Sequence, residues 1–253
     1  MIYIKTKKEI DFIRASCKIV AETLQLVKSN IKPGVTTLEL DKIAEDYIRS
    51  NDAVPAFKGY RQGPLIPFPG SICASVDDEV VHGIPGSRVL KEGEIIAIDV
   101  GVLKNNYFGD AALSVPVGNI DAENKKLLDV TEKSLYLGIE QAVAGNRVHD
   151  ISSAVQEYVE LNGFSVVREL CGHGVGKFLH EDPSIPNFGK RGTGVKLKSG
   201  MTLAIEPMVN LGEYFVKTKQ DGWTVVTEDG SPSAHFEHTI LINNNSPEIL
   251  TVC

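Results

Sequence analysis

The sequence predicts an α+β protein made of two duplicated halves whose strands share one sheet. Two helical patterns followed by strand-like runs occur twice along the chain, in the same order. Residues 90–99, Leu-Lys-Glu-Gly-Glu-Ile-Ile-Ala-Ile-Asp, align without a gap on residues 197–206, Leu-Lys-Ser-Gly-Met-Thr-Leu-Ala-Ile-Glu, and both segments end in an acid. Gly34 to Asn51 corresponds in the same way to Gly145 to Asn162, with Gly, Tyr and Asn matched.

The first half opens with a capping box, Thr6-x-x-Glu9, followed by Ile10, Ile13, Cys17, Val20, Leu24 and Val27 at alternating steps of three and four, the stripe of an amphipathic helix. Pro33-Gly34 ends that helix, and Thr36-x-x-Glu39 starts a second one with Leu40, Ile43, Tyr47 and Ile48 on its apolar face. A Gly- and Pro-rich loop runs from Lys58 to Gly70. Strands are expected over Ser71 to Val76, Ile95 to Val102 and Tyr107 to Val117, with Asn105-Asn106 as a hairpin signal. The second half repeats the order: helices from about Asn124 to Val143 and Asp150 to Asn162, then strands near Val166, Met201, Trp223 and Phe236.

The chain has 253 residues, is 42% hydrophobic and carries a net charge of -7, which excludes a disordered chain and provides no overall basic field for nucleic acid. Cys17, Cys73, Cys171 and Cys253 lack paired spacing and read as thiols of a reducing compartment. No secretory h-region follows Met1, and no apolar run approaches 18 residues, so a cytoplasmic protein without membrane contact is expected.

Asp99 ends the apolar run Ile95 to Ile98, and its repeat partner Glu206 ends Leu203 to Ile205 before Pro207; the proline favours extended backbone, so both acids are expected on strands. A carboxylate there is costly unless it is paired or holds a cation. Whether the hairpin turn is Lys104-Asn105 or Asn105-Asn106, Asp99 and Asp110 share a face, directly opposite or on a diagonal about 7 to 8 Å apart. A three-residue loop would place them on opposite faces unless a bulge restored the parity. Glu237, in Ala234-His235-Phe236-Glu237-His238, reads by itself as a polar residue of an exposed edge strand. His173 sits in a glycine turn, Cys171-Gly172-His173-Gly174, where the glycines permit close approach of backbone to a ligand. Together these residues form a hard, oxygen-rich set suited to two divalent ions.

At these residues the sequence resembles the type I methionine aminopeptidases, a branch of the pita-bread (creatinase/aminopeptidase) fold. The matching segments are Val80-Val81-His82-Gly83-Ile84-Pro85, Ile98-Asp99-Val100, Gly109-Asp110, Cys171 to Gly176, Ala204-Ile205-Glu206-Pro207-Met208 and Phe236-Glu237-His238-Thr239. The resemblance implies two pseudo-symmetric halves, a curved, mainly antiparallel sheet covered by helices, and a single catalytic metallopeptidase domain over 1–253. Asp110 and Glu237 would bridge two divalent metals (Co, Mn, Fe(II) or Zn), Asp99 would chelate one, and His173 with Glu206 would complete the other. Metal-activated water would attack the first peptide bond, with Glu206 relaying its proton and His82 and His180 contacting the scissile peptide group. Tyr60, Phe68, Cys73 and Trp223 would form the methionine pocket. The implied substrates are nascent polypeptide N-termini with a small second residue, met by a cytoplasmic monomer in transient contact with the ribosome.

Five features depart from the family pattern: Ala111 where Thr or Ser is common, Gly101 where a hydroxyl residue is frequent, Leu179 in place of Phe, Phe57 in place of a small or sulfur-containing residue, and a longer loop from Arg61 to Pro67. Two alternatives remain at this level: a proline-directed, prolidase-like peptidase with the same metal core, and a pita-bread binding protein without catalysis.

Overall fold

The computed structural model describes residues 2–61 and 66–252. The Arg61 to Pro67 loop therefore falls largely outside the described residues, as does Cys253. In the first half, α1 (Lys7–Asn30) and α2 (Thr37–Ser50) precede β1 (Val54–Pro55), β2 (Cys73–Val76), β3 (Glu79–Val81) and the hairpin of β4 (Ile95–Lys104) and β5 (Tyr107–Pro116). In the second, α3 (Ala122–Glu140) and α4 (Val148–Leu161) precede β6 (Ser165–Val166), β7 (Cys171–Gly174), β8 (Glu181–Pro186), β9 (Thr202–Ile205) and β10 (Met208–Asn210). The chain then forms β11 (Val216–Thr218), β12 (Val225–Thr227), β13 (Ser233–His235), β14 (His238–Leu241) and β15 (Glu248–Ile249).

Both expected capping boxes are present. The Thr6 and Thr36 amides donate to Glu9 and Glu39 at 2.8 and 2.7 Å, satisfying donors that a helix start otherwise leaves unpaired. On α1, the stripe from Ile13 through Cys17, Val20, Leu24 and Val27 is buried, and Ile10 is partly so. Each such side chain contributes roughly 1.5 to 3 kcal/mol of burial free energy. The core has two main parts. Helices α1 and α2 cover β2, β4 and β5 in one half, whereas α3 and α4 cover β9, β13 and β14 in the other; Leu113 packs against both.

The duplication extends to single hydrogen bonds. The Gly34 amide donates to the Leu90 carbonyl at 2.8 Å and the Leu90 amide to the Val35 carbonyl at 2.8 Å; in the second half Gly145 donates to Leu197 at 3.0 Å and Leu197 to Asn146 at 2.8 Å. Gly93 and its repeat partner Gly200 adopt φ of 92° and 89°, in the left-handed region that a glycine enters without a Cβ clash. Helices α2 and α4 each have 14 residues. Two halves with the same local bonds present the middle of β4 and the end of β9, hence Asp99 and Glu206, to the same central region.

The expectation of one shared sheet is modified. Among the described residues every strand pairing is antiparallel, but hydrogen bonding divides the strands into four groups, ordered β1-β4-β2 with β5 on β4, β13-β10-β6, β11-β12-β3, and β15-β14-β9-β7-β8. The two larger groups meet where Ala112 and Glu237 exchange backbone hydrogen bonds of 2.9 and 3.3 Å. Glu206 and Glu237 are not within strands: Glu206 lies in the break between β9 and β10, before a proline that has no amide to donate, and Glu237 between β13 and β14. Nor is Glu237 on an exposed edge, since it is 2% exposed. His173 is on β7 rather than in a turn.

Candidate metal centre and substrate cavity

Strand register gathers the five candidate ligands. The hairpin turns at Asn105-Asn106, with positive φ at both residues, and pairs Asp99 with Ala112 and Gly101 with Asp110. Asp99 and Asp110 are therefore diagonal neighbours on one face. In the other half His173 pairs with Ala204, two residues before Glu206, and His238 pairs with Ile205, so continuing that register sets Glu237 opposite Glu206. The Ala112–Glu237 backbone pair then joins the two sets. Asp110, His173 and Glu237 each offer a ligand atom, all within 4.8 Å of one another. His173 Nε2 is 3.6 Å from Glu206 Oε1 and 3.9 Å from Asp110 Oδ2.

Hydroxyl groups fix this framework. Thr239 Oγ1 accepts from the Asp110 amide at 3.2 Å and donates to the Asp110 carbonyl at 2.7 Å. Ser114 Oγ does the same for His235, accepting at 2.9 Å and donating at 2.8 Å. His173 Nδ1 lies 2.8 Å from the Gly174 carbonyl, an acceptor, so Nδ1 carries a proton and Nε2 is the nitrogen turned toward the carboxylates. The glycines beside His173 serve the sheet rather than a ligand. A Cβ on Gly172 would lie 2.4 Å from the Ala204 carbonyl oxygen, and one on Gly174 equally close to that of Asp182.

The residues fit a divalent cation. Asp99 Oδ1, Asp110 Oδ1 and Glu237 Oε1 are buried without a hydrogen-bond partner, an expensive arrangement that a cation would relieve. Burial pushes the Asp110 and Glu237 carboxyls well above the usual range, and the neighbouring carboxylates push them further; burial likewise raises Asp99. Burial also acts to raise Glu206, but the imidazoles of His235, His173 and His180 outweigh it and hold Glu206 below its ordinary value. Glu206 thus differs from its acidic neighbours in facing three imidazoles whose combined effect outweighs burial. Of these, His235 was not anticipated from the sequence. Its Nε2 is buried, has no hydrogen-bond partner and lies 3.6 Å from Glu206 Oε2. Its alternation with Glu237 and proximity to the Glu206 segment become visible only through the β10–β13 register, which pairs His235 with Met208.

Above the acids is a cavity of about 640 Å³. Tyr60, Phe68, Cys73 and Trp223 come together there with Phe57 and Leu179, and Cys73 pairs with Asp99 across β2 and β4, placing the pocket directly beside the acids. The Phe68 and Trp223 rings meet edge-on at 5.4 Å, and Trp223 Nε1 donates to the Ile66 carbonyl at 2.7 Å. His82 and His180 line the same cavity. Tyr60 Oη is hydrogen-bonded to His180 Nδ1 at 2.9 Å, and the His173 and His180 rings are 4.4 Å apart. His82 has φ of 59°, unusual for a non-glycine residue and common where a side chain is held at a functional site. Burial lowers its pKa.

Two of the departures from the family pattern are one packing feature. A Cβ on Gly101 would lie 2.6 Å from Phe57 Cε1, so the phenyl ring occupies the space that a hydroxyl residue at 101 would use. Gly101→Ser is therefore expected to destabilise the protein by roughly 1 to 3 kcal/mol through overpacking. In a Phe57→Ala background the cost is expected to shrink by about 1 kcal/mol or more, measured by urea unfolding in a double-mutant cycle. Additive effects would show that the two positions do not share that space.

The model of metallopeptidase family M24 matches residues 11–244. The chain belongs to this family. It is 56% identical to methionine aminopeptidase 1 of Bacillus subtilis (strain 168) over 251 residues, covering 99% of each chain. Its structure is similar to the crystal structure of methionine aminopeptidase from Thermotoga maritima, with a TM-score of 0.97, 47% identity and 100% of both chains covered. The prolidase from Pyrococcus furiosus shares the fold at a TM-score of 0.75 and 22% identity, but this M24 chain spans only 65% of it. The arrangement is the pita-bread fold of the M24 peptidases, and the chain is a divalent-metal-dependent peptidase. Among the described residues, no helix is long and apolar enough to cross a membrane.

Proposed function

We propose that this M24 peptidase removes the initiator methionine from nascent polypeptides whose second residue is small. The observation that carries this reading is the juxtaposition of the buried acid–histidine cluster with an apolar cavity walled by Phe68, Cys73 and Trp223. Soft, polarizable and aromatic groups suit a flexible thioether. The full-length identity to methionine aminopeptidases supports methionine at the first position over the proline-directed and binding-protein alternatives.

In this reading Asp99, Asp110, His173, Glu206 and Glu237 would hold two divalent ions, drawn from Mn, Fe(II), Co and Zn, with Asp110 and Glu237 as the candidate shared ligands. Bound metal supplies Lewis acidity and lowers the pKa of coordinated water. The protein's own residues position the substrate and move protons. The acidic centre receives the positive α-amine, and the apolar pocket takes the methionine side chain. His82 and His180 hydrogen-bond the scissile peptide group, with Tyr60 holding His180 in place. Glu206 takes a proton from the attacking water and passes it to the leaving amine. Residues 1–253 act as one catalytic domain, a cytoplasmic monomer that meets its substrates in transient contact with the ribosome.

The test compares Met-Ala-Ser, Met-Leu-Ser, N-formyl-Met-Ala-Ser and Ala-Pro-Ser under one metal condition, with chelated enzyme as control. Met-Ala-Ser is expected to be cleaved fastest. A free amine is needed for the acidic centre, and a bulky second side chain crowds His82 and His180. Faster cleavage of Ala-Pro-Ser would favour the proline-directed reading, and inactivity on all four across several metals would favour a binding protein. Elemental analysis of the active form identifies and counts the ions.

A further inference from the structure

Tyr3 and Phe178 are 43% and 53% exposed, yet both line the substrate cavity. Single exposed aromatics are ordinary, but two at the mouth of one cavity form a local apolar surface. Both are anchored from below by the same buried ion pair. Lys5 Nζ pairs with Glu181 Oε2, their side chains 4% and 1% exposed, and Glu181 Oε1 accepts from the Lys177 and Phe178 amides at 2.7 and 3.1 Å. Lys5 Nζ also lies 5.8 Å from the Tyr3 ring, and the Lys5 amide donates to the Gly200 carbonyl at 2.8 Å. One lysine–glutamate pair thus fixes the backbone carrying Tyr3 and the turn leading to His180.

We propose that Tyr3 and Phe178 form a subsite for the third residue of the peptide substrate, which binds an apolar or aromatic side chain, with Lys5 and Glu181 as positioning residues. The proposal rests on the aminopeptidase reading and extends it beyond the two residues flanking the cleaved bond. The occupant follows from continuity with the cavity. His180 contacts the scissile peptide group in that reading, and the Cα of a third residue lies about one and a half extended steps beyond the bond, roughly 5 Å away. Phe178 is two positions before His180, and Tyr3 is reached from adjacent Glu181 through Lys5. The peptide leaving the cavity passes these rings at its third residue. A buried ion pair is costly to assemble, and removing one partner strands the other charge, so the pair makes the two segments rigid and stacking preorganised.

The experiment measures kcat and KM for Met-Ala-Phe-Ser and Met-Ala-Ser-Ser with metal-loaded full-length enzyme. The wild type is expected to prefer the Phe peptide by about fivefold in kcat/KM, mainly through KM, as befits one aromatic contact. In the Tyr3→Ser/Phe178→Ser double variant the ratio is expected to fall to near one. Lys5→Met is expected to reduce the ratio as well, with KM for the Phe peptide rising more than kcat falls. Leu161→Ser, at an 85% exposed apolar side chain outside the cavity lining, is expected to retain the preference. A ratio near one in the wild type, or one unchanged in the double variant, overturns the subsite while leaving methionine removal intact. Cleavage of neither peptide overturns both readings. Because Lys5→Met removes one partner of a buried pair, circular dichroism accompanies its kinetics; the double variant decides the matter if Lys5→Met fails to fold.

Discussion

Asp110→Asn and Glu237→Gln are each expected to lower metal affinity by at least about tenfold and to reduce the number of ions bound, whereas His82→Ala is expected to leave both nearly unchanged. Even the hydrogen-bond partners of metal ligands typically contribute 10- to 100-fold to affinity, so a shared ligand contributes no less. The physical reason is charge. A bridging carboxylate serves both cations and offsets their mutual repulsion, which a neutral amide does poorly. The metal-free protein should respond in the opposite direction. Burial and then the surrounding acids raise the carboxyls of Asp110 and Glu237, so their ionised forms destabilise the metal-free fold, and that stability is present at low pH and lost as pH rises through the unfolded-state range toward the raised folded values. At neutral pH in chelator, each amide variant should therefore unfold at a higher temperature than the parent, and the order should reverse when metal is added. Mn(II) titration with a count of bound ions, paired with thermal unfolding in both conditions, measures the two effects. Normal two-ion binding by both variants would reject the bridging assignment.

The helices, the hairpin and the duplication were legible because each leaves a local signature. Thr6-x-x-Glu9 and Thr36-x-x-Glu39 mark helix starts, Asn105-Asn106 tolerates left-handed backbone, and the 90–99 and 197–206 segments repeat their bonds as well as their residues. The acids were legible for a different reason: a carboxylate after an apolar run is energetically conspicuous. What was not legible depends on pairing between distant segments. Glu237 looked like an edge residue because its burial comes from the Ala112 backbone in the other half, and His173 looked like a turn because the carbonyls that require Gly172 and Gly174 belong to distant residues, Ala204 and Asp182. Neither the Phe57–Gly101 pair nor His235 could be recognised before the register placed a ring beside a glycine and an imidazole beside Glu206.

Glu206→Gln is expected to lower turnover by at least about a hundredfold under saturating metal, since general acid–base groups typically contribute 10²- to 10⁴-fold and this residue is also a proposed ligand. Its environment supports the assignment. Unlike Asp99, Asp110 and Glu237, its carboxyl is held below the ordinary value by histidines despite burial, so it is ionised and able to accept a proton at neutral pH. His173 and His235 approach its two oxygens, each at 3.6 Å, so both carboxylate oxygens have an imidazole beside them. An amide of the same shape keeps the packing but loses the negative charge and the proton-accepting oxygen. Circular dichroism should show a native fold, and elemental analysis at saturating metal should separate the lost ligand from the lost relay: a variant that still holds two ions and yet fails in single-turnover cleavage of Met-Ala-Ser has lost the relay. Near-native single-turnover rates in that variant would rule out a proton role for Glu206 and move the search to the imidazoles of His82 and His180.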